Sequence, residues 1–420
     1  MMSENLLELN MPNNCRFCGQ PMYFTFVDLG MSPLCESFLS YKQLNQMEPF
    51  YPLHVFVCGH CFLVQLNEFV SPENIFTEYA YFSSYANTWL QHAQNYTRVV
   101  IDRFKLNQTS LVIEVASNDG YLLQYFVQND ISVLGIEPAR NVADVAIGKG
   151  IPTLIEFFGD KLAQKLSSEG KQADLIVGNN VLAQVPDLND FVAGMKTLLK
   201  PRGVITIEFP HLMNLMMENQ FDTIYHEHFS YFSFIVAEKI FSAHGLILFD
   251  VEELPTHGGS LRIYARHIEN VTLAVTDRAL KMHEKEIEAG LTKLEHYSAF
   301  AEQVKETKRK LLEFLIDVKH MGKTVVGYGA PGKGNTLLNY CGIRTDLLDY
   351  TVDRNPYKHG KFLPGTHIPI YPPEKIKETK PDYVLILPWN FKDEIMDQMA
   401  GIREWGGQFV VPIPEVKVYP

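Results

Sequence analysis

Six cysteines occur in the 420-residue chain, and four of them form two close pairs, Cys15-Arg16-Phe17-Cys18 and Cys58-Gly59-His60-Cys61. Two pairs of thiolates supply the four tetrahedral ligands that zinc prefers, each pair gripping the ion from a tight turn. Gly19 after the first pair and Gly59 inside the second suit such turns. The plainer alternative is a set of reduced, buried thiols. Four protein ligands leave no open coordination position, so zinc at Cys15, Cys18, Cys58 and Cys61 is expected to be structural. Cys35 and Cys341 stand alone, which does not fit a secreted disulfide framework, and a reducing, cytoplasmic compartment is expected.

Residues 221–234 concentrate polar and aromatic groups, with Tyr225, His226, Glu227 and His228 consecutive. Two histidines flanking one glutamate do not make the helical HExxH metal motif. A histidine beside a carboxylate is better suited to general-base work, because its pKa lies near neutrality and the acid can orient the imidazolium. A satisfied core cluster is the competing reading. Upstream, the apolar run LVIEV leads into Ala116-Ser117-Asn118-Asp119-Gly120 and then into YLLQYFVQ. A strand, a small-residue turn and a helix start bring backbone N–H groups beside a ligand. Glu137 ends the next apolar run, where a carboxylate usually meets the two ribose hydroxyls of a nucleoside. Asn179 and Asn180 close a further run in the same way.

A third motif argues for a different class. Gly327-Tyr328-Gly329-Ala330-Pro331-Gly332 follows a strand-like run and opens a helical one, with Asp353 about twenty residues further on, the dinucleotide-binding pattern of nicotinamide-dependent oxidoreductases. Lys333 directly after the last glycine instead suits a phosphate.

The elements that must position these residues are legible in outline. LVIEVAS, SVLGIE, ADLIVGN and GVITIEF read as buried strands separated by segments of helical period, a parallel sheet built from βαβ units. From about 275 to 320 an amphipathic helical stretch is predicted, broken near Gly290. TVVGYGA, LLDYTVD, DYVLILP and QFVVPIP predict a second, smaller α/β domain. The fold class is thus α/β, and the expected boundaries are 1–75 for the zinc-binding part, 76–270 for the nucleoside-binding part, and 271–420 for the helical connector and C-terminal domain. With 37 basic against 49 acidic residues, net charge −12, no global positive field exists to neutralise nucleic acid or an anionic membrane. The N-terminal residues lack the basic start and apolar core of a signal peptide, and no later run is long enough for a membrane helix.

The chain resembles the three-domain sugar C-methyltransferases that act on nucleotide-linked 4-keto deoxysugars. The resemblance rests on CRFC…CGHC, YAYFSSYANTWLQH, EVASNDGYLL, NNVLAQVPD, EFPHL…FDTIYHEHFSYFS, THGGSLRIY and GYGAPGKGNTLLNY…VDRNPYKHGKFLPGTHIPI, in order and across nearly the whole sequence. It implies an N-terminal zinc-binding domain, a central Rossmann-like domain binding S-adenosylmethionine, and a C-terminal Rossmann-like domain that helps to hold the nucleotide-sugar. The resemblance thereby makes residues 327–335, with Arg262, Lys358, His359 and Lys361, candidates for holding a diphosphate. The methyl donor is then expected against Glu114, Ala116, Ser117, Asn118, Gly120, Tyr121, Leu122, Glu137, Asn179 and Asn180. Ala116 and Asn118 stand where the usual loop has glycine. The implied base is His228, with Glu227 beside it and tyrosines at Tyr225 and Tyr79. A family histidine corresponds to Gln184, which can hydrogen-bond a ketone but not transfer a proton. The implied product is branched at a ring carbon, C-3 by expectation.

Overall fold

The computed structural model describes residues 14–76, 82–85 and 87–420. The chain divides into two compact units, each assembled from separate stretches of sequence. One comprises residues up to Tyr23, 57–212 and 227–292; the other comprises 24–56, 213–226 and 293–420. The N-terminal segment contributes strands β1 (Phe24–Ser32), β2 (Tyr51–Val57) and β3 (Val64–Leu66).

In the first unit the predicted apolar runs are strands: β4 (Leu111–Val115), β5 (Ser132–Ile136), β6 (Thr153–Leu154), β7 (Ala173–Asn179) and β8 (Leu199–Pro210). All five are parallel, and the helices that connect them cover the sheet, which is why the runs are apolar throughout rather than alternating. A short strand β9 (Ser230–Tyr231) pairs antiparallel with β3. Strands β10 (Leu246–Leu254) and β11 (Ser260–His267) then extend the large sheet antiparallel, giving the order β10-β11-β8-β7-β4-β5-β6. Val112, Leu122, Phe126, Leu175, Val177 and Val204 form the core under it, each large side chain contributing about 1.5–3 kcal/mol. The chain runs outward from β4 to β6 and then returns to the other side of β4 with β7. In sheets of this kind a ligand binds in the crevice at that reversal, outside the carboxyl ends of the strands, which here lies between the loops after β4 and β7. The helix expected directly after Gly120 is shorter than its pattern and spans Leu123–Val127, because Gly120 is left-handed (φ +75°) and the turn runs on through Leu122.

The helical stretch does break at Gly290 (φ +87°), into Asp277–Glu288 in the first unit and Leu294–Ser298 and Phe300–His320 in the second. Phe300 stacks on Phe26 of β1 at 4.7 Å within the second unit. The second unit's sheet is built from β12 (Val325–Tyr328), β13 (Thr351–Val352), β14 (Ile370–Tyr371), β15 (Tyr383–Ile386), β16 (Gln408–Val411) and β17 (Lys417–Tyr419). Its order is β14-β13-β12-β15-β16-β17, parallel except for β17. Among the described residues no helix is long and apolar enough to cross a membrane.

Candidate active site

The four paired cysteines converge in the first unit, their sulfur atoms all lying within 4.8 Å of one another. Cys15 and Cys61 are 3.6 Å apart and Cys18 and Cys58 3.5 Å. These distances are far longer than the ~2 Å of a disulfide. They suit the edges of a tetrahedron around an ion ~2.3 Å from each sulfur. Gln65 Nε2 donates to Cys15 Sγ at 3.2 Å and the His60 N–H to Cys58 Sγ at 3.4 Å, so the thiolates have outer donors as well. The set fits zinc and is closed to substrate.

The loop after β4 turns left-handed at Ala116, Asn118 and Gly120, with φ of +56°, +50° and +75°. Asparagine tolerates this conformation, whereas alanine there costs about 1–2 kcal/mol. At Gly120 a side chain is also excluded by space, since a Cβ would lie 2.3 Å from Ile151 Cδ1. The turn aims the Asn118 N–H at Glu137 Oε2 (2.9 Å), while the Ala139 N–H donates to Oε1 (2.9 Å). Burial pushes the Glu137 carboxyl above its usual range, and those two N–H groups pull it back. Asn179 Nδ2 donates to the Tyr121 hydroxyl at 3.1 Å, which ties the loop after β7 to the loop after β4. Asn118 Oδ1 accepts from the Ser83 N–H, and Lys149 Nζ donates to the Asp119 carbonyl. Around this crevice Asp119 Oδ1 and Asn180 Oδ1 are buried without a hydrogen-bond donor. Burial raises the Glu114 pKa well above normal, Glu137 and Asp119 adding to it while Tyr121 acts against it. A surplus of acceptors beside a ribose-competent carboxylate fits a cationic, amino-bearing nucleoside, and S-adenosylmethionine is one.

A neighbouring network escaped the sequence reading. Glu208, fully buried at the end of β8, accepts from Thr256 Oγ1 (2.8 Å) and Arg262 Nη2 (2.6 Å) and lies 2.9 Å from His92 Nε2. Arg262 also reaches Glu252 at 3.3 Å and lies over the Tyr96 ring at 4.4 Å, so its charge is engaged inside the fold and not offered to a diphosphate. The available signal was a glutamate inside the apolar run GVITIEF. Burial alone pushes Glu208 up, but the His92 hydrogen bond and the Arg262 and His92 charges outweigh it and hold the carboxyl at about 2. A depressed carboxylate stabilises the fold fully above its unfolded value near 4.5 and loses that contribution as pH falls through about 2. Glu208→Gln is therefore expected to lose about 3–5 kcal/mol at pH 7, leaving buried Arg262 with only its 3.3 Å pair to Glu252. The gap to the parent should narrow between pH 4.5 and 2 in urea titrations; a constant gap would refute the electrostatic origin.

The segment of His228 is tied to the turn Leu182–Gln184 that follows β7. The Phe229 N–H donates to the Ala183 carbonyl at 2.7 Å, joining the peptide after His228 to the peptide before Gln184. Phe229 also accepts from the Leu66 N–H at 3.0 Å, and the His228 ring meets Tyr231 edge-on at 6.1 Å. Glu227 is buried and His228 half-buried. Tyr225 and His226 fall in the second unit, where buried His226 lies 3.2 Å from the Pro52 carbonyl through Nε2 and meets Tyr51 edge-on. Tyr79, like Tyr81, lies outside the described residues.

The C-terminal fingerprint is turned toward its own chain. Asp353, where a dinucleotide's ribose would sit, accepts from the Ala330 N–H (2.7 Å) and the Asn355 N–H (2.8 Å). At the start of the helix Gly332–Cys341, a Cβ on Gly332 would lie 2.9 Å from Cys35 Sγ and 3.6 Å from Glu36 Oε1. Lys358 donates to the Ala330 carbonyl (2.8 Å) and pairs with Glu36 (3.7 Å), and His359 Nε2 lies 2.7 Å from the Asp353 carbonyl. Lys333 donates to Asn390 and lies over Trp389, whose indole N–H binds Asp222. Cys35 and the Glu36 carboxylate thus lie against the helix start where a dinucleotide's pyrophosphate would have to sit, and the oxidoreductase reading is set aside on that ground.

The doubly wound sheet with its switch-point crevice and acceptor-rich loop defines the class, an S-adenosylmethionine-dependent methyltransferase. Three family models agree with that class along the chain: a zinc binding domain over residues 15–76, a methyltransferase domain over 89–248 and a C-methyltransferase C-terminal domain over 255–414. The C-methyltransferase NovU of Streptomyces niveus is 36% identical over 406 residues, 97% of this chain and 96% of the relative. The chain belongs to this C-methyltransferase family. A ubiquinone biosynthesis O-methyltransferase of Bartonella tribocorum is 26% identical over 97 residues, 23% of this chain and 39% of the relative. Among solved structures, an S-adenosylmethionine-dependent methyltransferase from Clostridium acetobutylicum overlaps 42% of this chain and 92% of its own, with 11% identity and a TM-score of 0.35.

Proposed function

We propose that the enzyme methylates a ring carbon, C-3, of a nucleotide-activated 4-keto-6-deoxysugar on the way to a branched deoxysugar, through an enolate formed by His228. A carbon bonded to hydrogen is not nucleophilic, and the adjacent ketone lets it become so by delocalising the charge left when the proton is removed. His228 takes that proton, and Glu227 steadies the imidazolium. One of Tyr79, Tyr225 or Gln184 donates a hydrogen bond to the oxygen where charge develops. What supports this reading is the Phe229 N–H to Ala183 carbonyl bond, which ties the peptide after His228 to the peptide before Gln184. S-adenosylmethionine, held by Glu114, Ala116, Ser117, Asn118, Gly120, Tyr121, Leu122, Glu137, Asn179 and Asn180, supplies an electrophilic methyl group. In this division of labour residues 1–75 carry zinc, 76–270 carry the methyl donor and proton transfer, and 271–420 help to hold the nucleotide-sugar.

Incubation with the methyl donor and a panel of nucleotide 4-keto-6-deoxyhexoses, followed by mass spectrometry, should yield a product heavier by one methyl group. No product from any member of the panel would overturn the substrate class. Glu137→Ala should weaken S-adenosylhomocysteine by about 10–100-fold, the value of one or two charge-assisted hydrogen bonds to ribose. Calorimetric titration checks this, and unchanged affinity would remove Glu137 from the site.

A further inference from the structure

Two residues that are not glycine hold left-handed backbone on facing loops of the first unit: Asn180 after β7 (φ +56°) and His257 between β10 and β11 (φ +54°). Such conformations cost of order 1 kcal/mol each and persist where the surroundings over-determine them. Here several contacts fix both. The Asn180 N–H donates to the Glu208 carbonyl at 2.7 Å. Thr256, just before His257, is tied to the Glu208 carboxylate, and Gly258 and Gly259 continue the left-handed turn at φ +88° and +111°. The His257 ring meets Trp89 edge-on at 5.2 Å, and Trp89 stacks on Tyr121 at 5.9 Å.

The outcome is one side-chain contact: Asn180 Nδ2 donates to His257 Nε2 at 3.0 Å. With the amide nitrogen committed, the orientation of the carboxamide is set, and its Oδ1 is buried with no donor. An acceptor left in that state costs about 1–3 kcal/mol, so it awaits a ligand N–H or O–H. Asn179 next door binds Tyr121 of the donor loop, and the buried, unpartnered Asp119 Oδ1 favours a cationic donor over a neutral hydroxyl. We infer that His257 is a positioning residue, which locks the Asn180 carboxamide so that Oδ1 accepts from the amino group of the methyl donor. This rests on the reading that the crevice takes S-adenosylmethionine.

The test is calorimetric titration of the full chain with S-adenosylhomocysteine, which retains the amino group. His257→Phe keeps a ring against Trp89 but removes the acceptor, and should weaken binding about tenfold with an unchanged melting temperature. Asn180→Ala should weaken it at least as much. Because His257 acts through Asn180, the double variant should be no weaker than Asn180→Ala alone, and His257→Gln, which restores an acceptor, should recover most of the loss. Additive losses, or a His257→Phe chain that binds as tightly as the parent, would overturn the inference while leaving the pocket assignment intact. If His257→Phe folds poorly, Asn180→Ala decides, and unchanged affinity there overturns it. A parent chain that does not bind S-adenosylhomocysteine overturns the pocket assignment itself.

Discussion

Replacing His228 with Asn is expected to lower turnover by about 10²–10⁴-fold, the usual contribution of a positioned general base. Proton removal and methyl transfer are separable steps, so the loss can be assigned. In deuterated water, with S-adenosylhomocysteine in place of the methyl donor, the parent enzyme should exchange hydrogen at the carbon beside the sugar ketone. His228→Asn should abolish that exchange while both ligands still bind. Activity of the parent should fall as pH drops through the pKa of the base, since only neutral imidazole accepts a proton. His226 offers the control. Its Nε2 is hydrogen-bonded to the Pro52 carbonyl, and burial lowers its pKa against the backbone contacts of Pro52 and Tyr51. His226→Asn should therefore cost stability more than exchange. If instead His228→Asn turns over at near the parental rate and His226→Asn does not, the roles are reversed.

What the sequence made legible was whatever depends on local chemistry. The apolar runs fixed β4, β5, β7 and β8 because parallel strands covered by helices need no alternation, and the cysteine pairs announced a metal site because four thiolates at that spacing have few other uses. Left-handed Ala116 and Asn118 explain why the glycine-poor loop still takes the required turn: the conformation is kept and the residue type is not. What could not be read was any arrangement made by tertiary contact. Glu208, His92 and Arg262 are far apart in sequence, and each alone looks like an ordinary polar residue. The Gly327-x-Gly329-x-x-Gly332 pattern misled for the same reason, since only the folded chain shows Cys35 and Glu36 beside Gly332. Local motifs specify backbone geometry, and the use of that geometry depends on which side chains arrive from elsewhere.

Removing zinc is the second change expected to have a large effect, and its consequences should reach the base. Structural zinc in small domains has apparent binding energies of about 10–16 kcal/mol, most of which appears as folding energy. Here part of the loss would be offset by contacts that the cysteine loops make with the rest of their unit. Asn189 Nδ2 donates to the Phe17 carbonyl at 3.0 Å, Arg16 Nη1 to the Pro186 carbonyl at 3.3 Å, and Lys239 Nζ to the Cys61 carbonyl at 3.4 Å. The more telling link is β3, which leaves the second cysteine pair, pairs with β9, and donates from Leu66 N–H to the Phe229 carbonyl, one residue beyond His228. Purified enzyme should contain about one zinc per chain. A Cys58→Ser, Cys61→Ser double variant should contain almost none, melt at lower temperature, and turn over poorly, yet still bind S-adenosylhomocysteine, because the loop after β4 is built from other strands. Unchanged zinc content would sink the metal assignment. Zinc loss with full activity would show that the ion secures the N-terminal segment without supporting the segment of His228 that precedes β9.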